Sequence, residues 1–159
     1  MIELVQGDLL AARTEALVNA VNTVGIMGKG IALQFRNRFP EMFVAYETAC
    51  RSGLVQSGKM HVFDRGESCT SARWIINFPT KKHWRDASRL SDVETGLVDL
   101  VATVQRLRIK SIAIPPLGCG LGGLDWVAVR PRIETAFASL ADTKVLLYAP
   151  SVATVPVPH

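Results

Sequence analysis

The stretch that decides the fold is VNAVNTVGIMGKGIALQF, Val18 to Phe35. An apolar run passes through Asn19 and Asn22, crosses Gly25, Gly28 and Gly30, and then takes up helical spacing, with Ile31, Phe35 and Phe39 four apart. A strand that ends in a glycine turn and feeds a helix offers backbone N–H groups with no side chain in the way. The helix N-terminus adds a dipole that favours an anion. The turn therefore predicts a phosphate site at the end of a strand. It is not a P-loop, because GIMGKG lacks the G-x4-G-K-[ST] spacing.

A second stretch repeats the pattern. IPPLGCGLGGLDW, Ile114 to Trp126, is again strand, glycine loop and helix, and seven glycines fall within the two loops. Tight turning alone accounts poorly for so many, whereas two such loops can clasp a diphosphate from both sides. GCGLGG does match G-x-G-x-x-G, but a dinucleotide fingerprint belongs in the first βαβ unit, with an acid at the end of the next strand. Here it lies in the last third of the chain, and Asp142 precedes the final strand.

The remaining periodicity alternates strands with helices. MIELVQ, EALVNAV, KMHVFD, RWIINF, KSIAIPP and KVLLYA read as strands. PEMFVAYETAC predicts a helix with Pro40 at its first position and Gly53 near its end. Residues 91–108 predict another, with Ser91 and Glu94 as a capping box and an apolar face of Leu90, Val93, Leu97, Val101, Val104 and Leu107. DWVAVRPRIETAFASL predicts a last helix capped by Asp125 and disturbed at Pro131. The sum is an α/β fold of three layers, helix–sheet–helix. The KMHVFD/RWIINF pair looks like a hairpin and makes the central sheet mixed. One domain is expected over residues 1–149, with the Pro-rich PSVATVPVPH, 150–159, as a tail or linker.

Composition narrows the class. The 159 residues are 48% hydrophobic, enough for a proper core, yet no apolar run reaches the length of a membrane span. The start, MIELVQGDLL, does not read as a signal peptide. Cys50, Cys69 and Cys119 are odd in number and show no CxxC spacing, which fits a reducing cytoplasm. Three scattered histidines give no expected metal site. The net charge is +4, and KKHWRDASR, Lys81 to Arg89, alone carries +3. A basic segment with an embedded Trp faces a nucleic acid or another polyanion, or is a solvated loop.

Smaller signals have two readings each. Asp8 in QGDLL can accept from an adenine amino group or cap an ordinary turn. Asn19 and Asn22 can bond sugar hydroxyls or make local Asx turns. Trp84 can stack on a base or belong to the core. Cys119 has no partner that would act as its base and reads as a packing residue.

Together these pieces resemble a macrodomain, the ADP-ribose-binding fold, over residues 1–150. The early GDLL, the VNAVN strand end, the GxMGKGIA loop and PPLGCGLGGLDW carry the likeness. Within that family, GKGIALQF and NFPTKKHW resemble the macrodomains of the antitoxins of DarT–DarG toxin–antitoxin systems, a subgroup related to the terminal ADP-ribose protein glycohydrolase. The resemblance implies a hydrolase that removes ADP-ribose from thymidine in single-stranded DNA, with a DarT-like toxin as partner. The alternative is a reader that binds ADP-ribose without turnover. Either way ADP-ribose is a ligand or product, no cofactor is needed, and a monomer is expected.

The resemblance also implies roles. Asp8 and Leu9 would hold the adenine, and Asn22 would lie near the distal ribose. Gly28, Lys29, Gly30 and Ile31 would form the first phosphate loop, and Gly118, Cys119, Gly120, Leu121 and Gly122 the second. Lys81 stands where the subgroup carries its catalytic lysine. His83, Trp84 and Arg85 would touch nucleic acid. The sequence departs from the related protein glycohydrolase at Gly122, where that enzyme has an acid, and Asp125 is a candidate substitute. Uncharged, Lys81 could attack the anomeric carbon or an opened aldehyde. Charged, it could stabilise or protonate the departing base.

Overall fold

The computed structural model describes residues 1–151, so most of the expected Pro-rich tail lies outside the described residues. Ten elements follow one another. Strands are β1 (Ile2–Val5), β2 (Ala16–Val21), β3 (His61–Asp64), β4 (Trp74–Pro79), β5 (Ser111–Ile114) and β6 (Lys144–Tyr148). Helices are α1 (Gly30–Arg38), α2 (Pro40–Arg51), α3 (Leu90–Leu107) and α4 (Trp126–Phe137), and a 3-10 turn occupies Leu9–Ala11. The strands form one sheet in the order β1-β6-β5-β2-β4-β3. All neighbours are parallel except β3 and β4, whose antiparallel pairing makes the sheet mixed, as the hairpin-like stretch predicts.

Successive side chains of a strand point to opposite faces, so a sheet covered on both sides needs two cores. On one face Val18, Ile76, Phe78, Ile112 and Ile114 pack against Leu97, Leu100, Val129 and Ile133 of α3 and α4. On the other, Leu17, Val21, Ile75 and Ala113 pack against Phe35, Met42 and Tyr46 of α1 and α2. α3 comes close to the sheet at Gly96, where any Cβ would run into the Phe78 ring, with Cε2 only 3.2 Å away.

Local chemistry sets the helix ends. Pro40 starts α2, and Gly53 beyond its last turn has φ +74° and donates its N–H to Cys50. Asp125 caps α4 by accepting from the Val127 N–H at 3.0 Å, and Pro131 sits inside that helix. The capping box expected at Ser91 does not form. Arg89 is the N-cap, without a side-chain bond, and Ser91 already lies in the first turn. Packing of Leu90 against the core starts the helix ahead of the sequence motif. Glu94 is instead paired with Arg132 of α4 at 2.7 Å.

Both glycine loops leave the C-terminal ends of adjacent strands, one after β2 and one after β5. The segment carrying Lys81 leaves the same end of β4, on the other side of β2. Ligands of α/β sheets bind at this edge.

Candidate functional site

A cleft of about 830 Å³ opens at that edge, within the range of small-molecule sites. Of the residues expected to bind ligand, Asn22, Gly28, Lys29, Gly30 and Ile31 line it from the first loop, and Gly118, Cys119, Gly120, Leu121 and Gly122 from the second. Lys81 and Trp84 line it from the segment after β4. The fold thus brings three separate stretches of chain to one hollow. Ala20, Val21, Ile26, Ala32, Thr80, Pro115 and Pro116 complete the wall.

The remaining expected site residues stand elsewhere. Asp8 accepts from the Leu10 N–H at 3.0 Å and caps the 3-10 turn, and Leu9 is buried in the core under it. Both follow β1, at the same end of the sheet but off the cleft lining. His83 and Arg85 also lie off the lining. They flank Trp84 instead, with the imidazole 5.2 Å from the indole centroid and the guanidinium 4.6 Å above it. Trp84 is 37% exposed, so the core reading of this residue does not hold. The Arg85 N–H donates to His83 Nδ1 at 3.1 Å, which leaves the proton of a neutral ring on Nε2.

Asn22 does local work. Its Oδ1 accepts from the N–H groups of Val24 and Ile26 and from the Tyr46 hydroxyl, and its Nδ2 donates to the Ile26 carbonyl at 2.7 Å. The side chain folds the first loop, as an Asx turn would, and keeps one amide hydrogen uncommitted. Burial pushes the Tyr46 phenol far above its usual range, so it remains a donor at every working pH. Asn19 points to the α1/α2 core and donates to Asn77 Oδ1 at 3.1 Å, and Asn77 in turn meets His61 Nδ1 at 3.1 Å. Asn19, Asn77 and His61 occupy one row across β2, β4 and β3. Burial lowers the His61 pKa, so the ring is neutral near pH 7 and can accept from Asn77.

The second loop is closed by backbone. The Leu124 N–H reaches the Gly118 carbonyl at 2.8 Å, and the Ser88 N–H reaches the Gly122 carbonyl at 2.9 Å. A Cβ on Gly122 would meet the Ser88 hydroxyl, the Ser88 Cβ at 2.8 Å and the Gly118 carbonyl oxygen at 2.6 Å. No side chain fits there, an acid included. Asp125 does not replace one, since its carboxylate is spent on the helix cap and lies off the lining. Burial, helped by the Asp125 charge, pushes the Cys119 thiol up to about 11, which suits a packing residue and not a nucleophile. The described residues include no cluster of three metal-ligating side chains.

Lys81 is half-buried and its ammonium forms no ion pair among the described residues. The cleft lining also contains no carboxylate. Sequence reasoning missed Thr23, Tyr46 and Ser88, which hold the loops. No motif marks them, because their partners are distant in the chain.

A mixed six-stranded sheet between two helix layers, with glycine loops after its inner strands, defines the class. Residues 18–133 match the Macro domain family, and the chain belongs to it. Over 151 residues the chain is 56% identical to a DNA ADP-ribosyl glycohydrolase of Mycobacterium tuberculosis, covering 95% of this chain and 43% of that protein. The chain therefore spans less than half the length of the DNA ADP-ribosyl glycohydrolases it matches. The solved macrodomain of Mycobacterium tuberculosis DarG superposes with a TM-score of 0.92 at 56% identity, covering 95% of this chain and 99% of that one. A Thermosipho africanus DarTG structure in complex with ADP-ribose superposes with a TM-score of 0.88 at 35% identity, covering 99% of this chain and 43% of that one.

Proposed function

We propose that this macrodomain is a DNA ADP-ribosyl glycohydrolase, which removes ADP-ribose from thymidine in single-stranded DNA. It would act as the antitoxin to a DarT-like DNA ADP-ribosyltransferase, as a monomer in the cytoplasm. The observation that carries the reading is the convergence of Lys81 and two glycine loops on one cleft. The identity to DarG macrodomains, which extends over nearly the whole chain, supports the substrate.

The chemistry follows from the lining. The diphosphate of ADP-ribose would rest between the loops, with Gly28 to Ile31 on one side and Gly118 to Gly122 on the other. Backbone N–H groups and the α1 N-terminus balance its charge. The distal ribose then points towards Lys81. Breaking the bond from ribose C1 to the base nitrogen leaves positive character on C1 and an electron pair on the departing thymine. With no carboxylate in the lining and Lys29 assigned to the phosphate loop, Lys81 is the side chain left to meet that charge. As an ammonium it stabilises the leaving base or gives it a proton, and water completes the hydrolysis at C1. Trp84, one face covered by Arg85, offers an aromatic surface at the mouth for a base of the strand, a contact worth about 1–3 kcal/mol in single-strand binders. Asp8, whose Oδ1 caps the 3-10 turn, would offer its other carboxylate oxygen to the adenine at the far end, beyond the described cleft, with the buried Leu9 supporting it from the core.

The lack of any carboxylate in the lining also favours a second reading, a module that holds ADP-ribose without turnover. One experiment separates the two. A short oligonucleotide carrying ADP-ribose on thymidine is incubated with the wild type and with Lys81→Ala, and free ADP-ribose is followed. Release by the wild type alone is expected. No release by either protein, with ADP-ribose still bound, would leave the reader.

A further inference from the structure

We propose that Thr23 is a positioning residue, which sets Lys81 over the cleft by holding the carbonyl of Lys82. This rests on the reading of Lys81 as the catalytic group.

Lys81 stands between two backbone pins. On its N-terminal side the Thr80 N–H donates to the Val21 carbonyl at 2.9 Å. On its C-terminal side the Lys82 carbonyl accepts twice from Thr23, from the N–H at 2.9 Å and from Oγ1 at 2.8 Å. Both pins come from the chain that continues β2 into the first glycine loop. The residue between them keeps its side chain free to line the cleft.

The segment is anchored at its other end as well. The Ser88 N–H donates to the Gly122 carbonyl at 2.9 Å, so residues 82–88 run as a strap from Thr23, between β2 and the first phosphate loop, to the second loop. Its middle is closed on itself, with the His83 N–H on the Asp86 carboxylate at 3.1 Å and the Asp86 N–H on the His83 carbonyl at 3.0 Å. These two bonds hold residues 83–86 in one turn. The strap's place at the Lys81 end is set by Thr23, the residue that follows Asn22, which is expected near the distal ribose, and that leads into the first phosphate loop. The turn that begins at Asn22 and the placing of Lys81 are thereby linked through one hydroxyl and one N–H. Catalytic groups need placing to a fraction of an ångström, so loss of one pin should cost turnover before it costs binding.

The test is Thr23→Val, which keeps the shape and the N–H bond and removes the hydroxyl, beside Thr23→Ser, which keeps the hydroxyl. Thr23→Ala serves as a second deletion. Lys81→Ala is run in parallel. Turnover of ADP-ribosylated single-stranded DNA and affinity for free ADP-ribose are measured for each. Thr23→Val should lower kcat about fivefold to tenfold and leave ADP-ribose affinity within about twofold, and Thr23→Ser should restore kcat. Wild-type kcat in Thr23→Val, with Lys81→Ala inactive, would overturn the positioning role alone. So would a loss in Thr23→Val that appears wholly as weaker ADP-ribose binding, or a Thr23→Ser no better than Thr23→Val. Full turnover by Lys81→Ala would overturn the catalytic reading of Lys81 and the role of Thr23 with it.

Discussion

The hydroxyl of Tyr46 lies 2.7 Å from the carbonyl oxygen of Asn22 and 2.9 Å from its Oδ1, so one buried phenol on α2 holds the residue that folds the first glycine loop. The loop is therefore held from below by the core. Tyr46→Phe removes that donor while keeping the ring in place against His61 and Phe43. It should cost about 1–2 kcal/mol of stability by leaving buried acceptors short of a partner. Affinity for ADP-ribose should fall several-fold as the loop loosens. A thermal melt and a binding titration check both, and an unchanged pair of values would show that Asn22 holds the loop without help.

Gly122 and Gly120 should behave differently, though they are two residues apart in one loop. A methyl at Gly122 meets Ser88 and the Gly118 carbonyl, whereas a methyl at Gly120 meets nothing within 4 Å. Gly122→Ala should destabilise the protein by about 1–3 kcal/mol, the usual cost of overpacking, and weaken ADP-ribose binding as the loop shifts. Gly120→Ala should melt close to the wild type. Gly122→Asp, which would restore the acid of the related glycohydrolases, should lose activity and not gain it. Equal melting temperatures for the two alanine variants would contradict the contact with Ser88.

Cys119 lines the cleft, yet its thiol is pushed up to about 11 by burial and the Asp125 charge. It should react slowly with iodoacetamide at pH 7.5, and Cys119→Ala should keep turnover within about twofold. Loss of turnover in that variant, with ADP-ribose affinity intact, would overturn the reading of Cys119 as a packing residue.

His61 gives the fold an acid limit. Burial lowers its pKa below that of the unfolded chain, so the unfolded state takes up the proton first as pH falls. Stability is complete above about pH 6.5, the unfolded value, and is lost progressively below it, towards the lower folded value. Protonation would also set a donor against the Asn77 amide, which already donates to that nitrogen. Denaturant melts between pH 7.5 and 5 should show this loss in the wild type, and a flatter profile in His61→Gln. Parallel profiles for the two proteins would mean that other groups set the acid limit.

Much of this architecture could be read from residue order. The alternation of strands and helices, the hairpin that mixes the sheet, and both glycine loops depend on local pattern: period 2 against period 3.6, Pro40 at a helix start, Gly53 at a helix end. Such signals lie within a few neighbouring residues. The capping box at Ser91 and Glu94 shows where local pattern fails. It is a valid motif on its own, but burial of Leu90 and the ion pair with Arg132 outweighed it.

What the sequence by itself determined, then, is the class of fold and the presence of two glycine loops with a basic segment between them. Those properties follow from backbone freedom, apolar periodicity and charge, all encoded next to where they act. Only the tertiary structure decided which groups share the cleft. It placed Lys81 and Trp84 inside it, turned His83 and Arg85 against the indole, spent Asp8 and Asp125 on caps, and filled the space beside Gly122 with Ser88. The bonds responsible join residues far apart in the chain, Thr23 with Lys82, Ser88 with Gly122 and Tyr46 with Asn22. A hydrogen bond between distant residues leaves no period and no motif in the sequence, because either partner alone is an ordinary polar residue until the sheet brings the two together.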